Sequence, residues 1–134
     1  MNKNDNDILV DSIKELVLAS RVNIERQINN ELLLAYWNIG RIIVIYEQSG
    51  EKTAEYGKQL LKTLSKELTK ELGKGFSRSN LQNMRLLYIN YPICQSLSGK
   101  LSFTHYCELF TVSDKHARDF YEKEAINSKM LWKI

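Results

Sequence analysis

A single proline, Pro92, interrupts this chain of 134 residues, and glycine occurs only six times. A chain so poor in turn-forming residues is a poor match for the many short strands and tight turns of a β-sandwich or barrel. Two cysteines, Cys94 and Cys107, are too few for a disulfide framework and lack the spacing of a zinc site, so both are expected as reduced, partly buried thiols. No apolar run reaches membrane-spanning length, and Met1-Asn2-Lys3-Asn4-Asp5 has no apolar signal core, which points to a soluble cytoplasmic protein. Catalytic constellations are also missing. His105 and His116 stand eleven positions apart on different predicted helices. His105, Tyr106 and Cys107 are adjacent, and adjacent helix residues do not face each other. None of the thirteen lysines has an Asp or Glu two positions earlier, so the core of one common metal-dependent nuclease motif is not found. There is no phosphate-binding glycine loop, and no cofactor is implied.

What the chain does have is helical spacing. It is 43% hydrophobic and 26% charged, as a globular domain is. From Ile8 an apolar stripe passes through Leu9, Ile13, Leu16, Ser20, Ile24, Ile28, Leu32, Ala35, Ile39, Ile42 and Tyr46, nearly always in steps of three or four. The spacing predicts one long helix, or two nearly collinear ones, over 7–48, with residues 1–6 disordered. Residues 31–46 add Leu33, Leu34, Trp37, Ile43 and Val44 and are expected to form the core hub. The stripe over the first half could join two copies in a homodimer, or pack on the chain's own later helices. Gly50 is a candidate left-handed cap, and Thr53 a candidate start of the next helix.

A second helix alternates two faces. Lys58, Lys62, Lys66, Lys70 and Lys74 recur every fourth position, with Leu60, Leu61, Leu64, Leu68 and Leu72 on the other side. Gly73 and Gly75 then bracket a turn. The next helix begins at Ser77 or at Ser79, the latter with Gln82 in capping-box spacing. Leu81, Met84, Leu87, Tyr88 and Tyr91 fall on its apolar side, Arg78, Ser79, Gln82 and Asn83 on the other. Lys58 to Arg85 holds seven basic residues against Glu67 and Glu71, a local charge of +5 in a chain of net +3. Charge gathered on one helix pair fits phosphate binding, and Arg, Gln and Asn at the head of the second helix fit base edges in a DNA major groove. A solvated polar face is the plainer alternative. The order helix, Gly-containing turn, Ser-capped helix is helix-turn-helix-like, although 72–77 is longer than the usual tight turn.

Beyond Pro92 and a loop to Lys100, a short helix is predicted over 102–110 with Phe103, Tyr106, Leu109 and Phe110 inward. Another, capped by Ser113-Asp114, runs to about Asn127 with Ala117, Phe120, Tyr121 and Ala125 inward. These two form a second helix-turn-helix-like layout. Met130 to Ile134 reads as the start of an unfinished helix. The fold class expected is all-α: one domain over 1–134, with the long N-terminal helix followed by a helical bundle over 53–127.

Tyr36-Trp37-Asn38-Ile39-Gly40-Arg41, Tyr56-Gly57-Lys58, Leu64-Ser65-Lys66-Glu67-Leu68 and Gly75-Phe76-Ser77-Arg78-Ser79-Asn80-Leu81 resemble the N-terminal domain of the YhcG family. Leu101-Ser102-Phe103-Thr104-His105-Tyr106, Ala117-Arg118 and Phe120-Tyr121 continue the likeness, which covers roughly 15–127. The resemblance implies an all-helical domain that, in full-length members, precedes a metal-dependent nuclease domain of the PD-(D/E)xK class, and so a DNA-associated role. Where the family usually has Asn-Gly-Trp-Ser, this chain has Asn127-Ser128-Lys129-Met130, and it ends without a nuclease domain. The expectation is therefore a non-catalytic module for duplex DNA. Lys62, Lys66, Lys70 and Lys74 would lie along phosphates. Ser77 and Ser79 would sit at the helix head, Arg78, Gln82, Asn83 and Arg85 along the reading helix, and His105 would be a further contact. The alternative is a protein-interaction or dimerisation module without nucleic acid.

Overall fold

The computed structural model describes residues 4–50 and 54–127. Thr53 and the expected helix start at Met130 lie outside these residues, as do residues 1–3. Among the described residues the fold is all helical. Its helices are α1 (Asp5–Ser49), α2 (Ala54–Leu72), α3 (Arg78–Asn90), α4 (Phe103–Leu109) and α5 (Lys115–Asn127), with a 3₁₀ turn at Cys94–Ser96. Helix α1 starts two residues earlier than the apolar stripe suggests. The Asn4 side chain accepts from the Asp7 N–H at 2.9 Å, and Asp5 and Asp7 place negative charge on the helix's positive end.

The bundle is built where α3 crosses the second half of α1. Leu81, Met84 and Leu87 are fully buried at a spacing of three, so one narrow face of α3 is sealed. They meet Leu33, Trp37 and Ile43 of α1. Gly40 lies at the crossing. A Cβ there would overlap the Met84 carbonyl oxygen and come within 2.7 Å of its carbon, so only glycine lets the two backbones approach this closely. The core has two lobes. Ile43, Leu81 and Met84 pack under the α2 leucines Leu60, Leu61, Leu64 and Leu68, while Leu33, Trp37 and Leu87 pack with Leu101, Tyr106 and Leu109. Tyr36 and Phe103, with ring centroids 4.5 Å apart, touch both lobes. The Trp37 indole donates to the Tyr91 carbonyl at 2.7 Å, satisfying its buried polar edge.

Several local expectations change. Gly50 has φ −107°, an extended conformation and not a left-handed cap. Its lack of a side chain instead admits the Tyr56 ring, whose hydroxyl would lie 2.7 Å from a Cβ. Left-handed backbone occurs at Gly73 (φ 89°) and Gly75 (φ 108°), which turn the chain between α2 and α3. Ser77, not Ser79, caps α3, accepting from the Asn80 N–H at 3.1 Å, while the Asn80 amide donates to the Gly75 carbonyl and ties the turn down. Leu72 is 64% exposed, because the last turn of α2 overhangs the core. Phe120 and Tyr121, expected inward, are exposed and lean edge-to-face on each other. Helix α5 meets the bundle through Ala125 and Ile126 instead.

The largest difference concerns α1. Every residue from Asn4 to Ile28 is exposed except half-buried Asp11. The first buried residue of the helix is Leu33. At 100° per residue the face holding Leu9, Ile13, Leu16, Val17, Ile24 and Ile28 lies about 170° from the face holding Leu33, Trp37, Gly40, Ile43 and Val44. The stripe of the first half and the core face are therefore opposite sides of one helix, and Leu9 to Ile28 do not pack on the later helices, whereas Ile39 further along packs on Ile43, Leu81 and Met84.

Candidate nucleic-acid interface

The α1–α3 crossing leaves an open cleft of about 990 Å³ between the end of α1, the start of α2 and the first half of α3. Glu47 lines it from α1. Gly57, Lys58 and Leu61 line it from α2, and Arg78, Ser79, Gln82, Asn83 and Arg85 from α3. The α3 residues are there for a simple reason. With Leu81, Met84 and Leu87 sealed against α1, residues 78 and 82 turn away from the sealed face and 85 flanks it, within reach of α1, while α2 packs nearby through Leu61.

Two cations anchor the electrostatics. Among the described residues neither Lys58 nor Arg78 has a carboxylate partner. Arg85 does: its Nε donates to both Glu47 oxygens, at 2.8 and 3.0 Å. The pair is mostly shielded, with side-chain exposures of 29% and 17%, so Glu47 fixes the guanidinium and offsets its charge inside the cleft. Asn83 hydrogen-bonds the Cys107 thiol of α4, and burial is the main cause of the raised pKa of that thiol. Burial thus favours the thiol form of Cys107 over the thiolate. Cys94 and Cys107 are both free and half-buried.

Of the residues expected from sequence, the cleft brings together Arg78, Ser79, Gln82, Asn83 and Arg85. Ser77 is exposed at its edge, as the α3 cap. Lys62, Lys66, Lys70 and Lys74 are exposed but do not line it. Lys62, Lys66 and Lys70 continue along α2 and rotate by about 40° per step away from Lys58, and Lys74 lies in the turn after it. His105 lies elsewhere. Its ring Nδ1 is 2.7 Å from the Ser102 hydroxyl and 3.1 Å from the Ser102 N–H, which closes a capping box on α4. Sequence reasoning placed Lys58 in the basic ladder without assigning it to the site, and missed Glu47. The signal for Lys58 was present in its i+3 partner Leu61, which faces the core. Nothing local marks Glu47, thirty-eight positions from Arg85.

Among the described residues no group of three or more His, Cys, Asp or Glu could hold a metal ion. No described helix is long and apolar enough to cross a membrane.

Comparison with known proteins places this architecture. A protein of Escherichia coli (strain K12) named "Putative nuclease YhcG" is 36% identical over 148 aligned residues, which take in 87% of this chain. The chain spans about 40% of the length of that relative. No solved structure matches. The family model described as the DUF1016 N-terminal domain matches residues 12–133, nearly the whole chain. The likeness carried by the Tyr36–Arg41 and Gly75–Leu81 motifs thus has a family behind it, and the chain belongs to the DUF1016 N-terminal domain family, the N-terminal domain of YhcG-type proteins.

Proposed function

We propose that this domain binds and positions duplex DNA and is non-catalytic in itself, working beside a nuclease domain in full-length relatives. The observation that carries the reading is the cleft. It brings the point charge of Lys58 and the Ser79 hydroxyl together with Arg78, Gln82 and Asn83, whose side chains make forked or paired hydrogen bonds, at the exposed head of a helix whose other side is sealed. Helices α2 and α3 with their two-glycine turn act as a helix-turn-helix-like unit, α3 entering the groove and the α2 lysines following the backbone. The relative's printed name, a nuclease, supports a nucleic-acid partner.

Roles divide by chemistry. Lys58, Lys62, Lys66 and Lys70 meet phosphates as point charges, and Lys74 does so at the turn. Arg78, Gln82 and Asn83 reach base edges, and Ser77 and Ser79 donate to phosphate at the helix head. Arg85 contributes less, since Glu47 already holds its Nε edge. His105 is left to its capping role.

Fluorescence anisotropy on mixed-sequence and selected duplexes, over a salt series, tests the reading. Lys66→Ala should weaken all duplexes alike and lower the salt slope by about one. Arg78→Ala should lose about 1–3 kcal/mol on a preferred duplex and less on random DNA. Absence of salt-dependent binding at micromolar protein would sink the DNA reading. The second reading, a protein-interaction module without nucleic acid, is favoured by one observation, the bare apolar stripe on α1.

A further inference from the structure

We infer that α1 is a self-association surface: residues 8–28 pair with the same residues of a second copy, antiparallel. The inference is independent of DNA binding and deepens the interaction reading by committing to a partner and an orientation.

The first argument is area. Leu9, Ile13, Leu16, Val17, Ile24 and Ile28 are 59, 61, 69, 42, 54 and 55% exposed on one side of one helix. Together they show on the order of 600 Å² of apolar surface, the upper end for the largest patch on an ordinary monomer. The aliphatic stems of Lys14 and Arg21 flank the stripe and bring it near the ~800 Å² per partner of a standard specific interface. Ser20 and Gln27 are the polar residues on this side, and the Ser20 hydroxyl is compatible with burial because it donates to the Leu16 carbonyl at 3.0 Å.

The second argument is charge. Residues 5–15 carry Asp5, Asp7, Asp11 and Glu15 against Lys14, a net of −3. Residues 16–30 carry Arg21 and Arg26 against Glu25, a net of +1. A parallel pair would lay the acidic arm on itself. About a two-fold axis between Leu18 and Ala19, an antiparallel pair sets residues 5–15 opposite residues 22–32, which carry Arg26 against Glu25 and Glu31, a net of −1, so the repulsion is smaller and Asp11 lies level with Arg26.

Register is the third. A two-fold axis between Leu18 and Ala19 sets Leu9 opposite Ile28 and Ile13 opposite Ile24, so large apolar side chains meet at both ends of the seam. The stripe is on the far side of α1 from the core, so pairing leaves the α1–α3 crossing untouched. Glu47 of each copy then lies about 43 Å from the axis at 1.5 Å per residue, and the two clefts sit at opposite ends of the pair.

Light scattering on the intact chain should give twice its 15.6 kDa mass at concentrations up to the hundred-micromolar range. Ile13→Glu with Ile24→Glu should give a monomer that keeps its near-ultraviolet Trp and Tyr dichroism, since neither residue touches the core. In a background with Cys94→Ser and Cys107→Ser, a mixture of Leu9→Cys and Ile28→Cys proteins should form the mixed disulfide faster than either forms its own. A monomeric intact chain overturns the inference, as does a double-Glu variant that stays dimeric. Faster Leu9→Cys self-disulfide overturns the antiparallel register. None of these outcomes depends on nucleic acid.

Discussion

Residues 5–28 and 29–49 are two halves of one unbroken helix, and both are rich in large aliphatic residues. The second half buries Leu33, Trp37, Ile43 and Val44 and is hydrogen-bonded or ion-paired to other segments at Asn29, Trp37 and Glu47. The first half buries none. Apolar content thus says that a helix face wants covering, but not what covers it. Burial needs a backbone that can come close, and in α1 that happens at Gly40, where α3 docks.

The sharpest way to break the contrast is at the crossing. Gly40→Val should cost at least about 3 kcal/mol, because the clash is with the Met84 backbone, which cannot swing aside as a side chain would. The same size increase at exposed Ala19 should change the monomer's stability little. Thermal melts of the two variants side by side measure the difference. Next comes truncation. Leu33→Ala should lose about 2–5 kcal/mol in chemical denaturation, and Leu16→Ala within about 0.5 kcal/mol when measured in the monomer.

A smaller effect is expected in alkali, and only from the second half's surroundings. Tyr106 is fully buried, and burial is the main reason that its phenol is pushed up from 10.0 to about 12. Tyr91 is raised too, by burial first and then by its 2.6 Å hydrogen bond to Glu122. The unfolded chain releases these protons first, so their contribution is fully present below pH 10 and is lost as pH rises toward 12. Denaturant midpoints should be flat up to about pH 10 and then fall, and Tyr106→Phe should flatten the fall while weakening the fold by its lost bond from the Ser98 N–H. The smallest change expected is at Glu47. Glu47→Gln should cost about 1 kcal/mol, since the pair is partly exposed. Releasing Arg85 into the cleft should raise duplex affinity, read by the same anisotropy titration.

Much of the fold was legible because helical spacing is a local signal. The long α1, the leucine face of α2, the glycine turn and the stop before Pro92 all follow from residues within a few positions of one another. For the start of α3 the sequence left Ser77 and Ser79 both open, and the structure takes Ser77. The misreading of α5 has another cause. Phe120 and Tyr121 look like core residues on any wheel, but α5 lies on the bundle through a different side. In the site, Arg78, Ser79, Gln82 and Asn83 could be read from the polar side of one helix. Glu47 could not, because its partner Arg85 is brought to it only by the crossing.

The sequence by itself determined that this chain is helical, where its helices turn, and that its basic charge gathers between Lys58 and Arg85, since period, turn chemistry and composition act over a few residues. Which of the two apolar faces of α1 became core was decided only by tertiary structure, as was the joining of Lys58 to Arg78 and of Glu47 to Arg85. These depend on where two backbones can approach, and that place is set by Gly40 and the Met84 carbonyl, which lie forty-four positions apart.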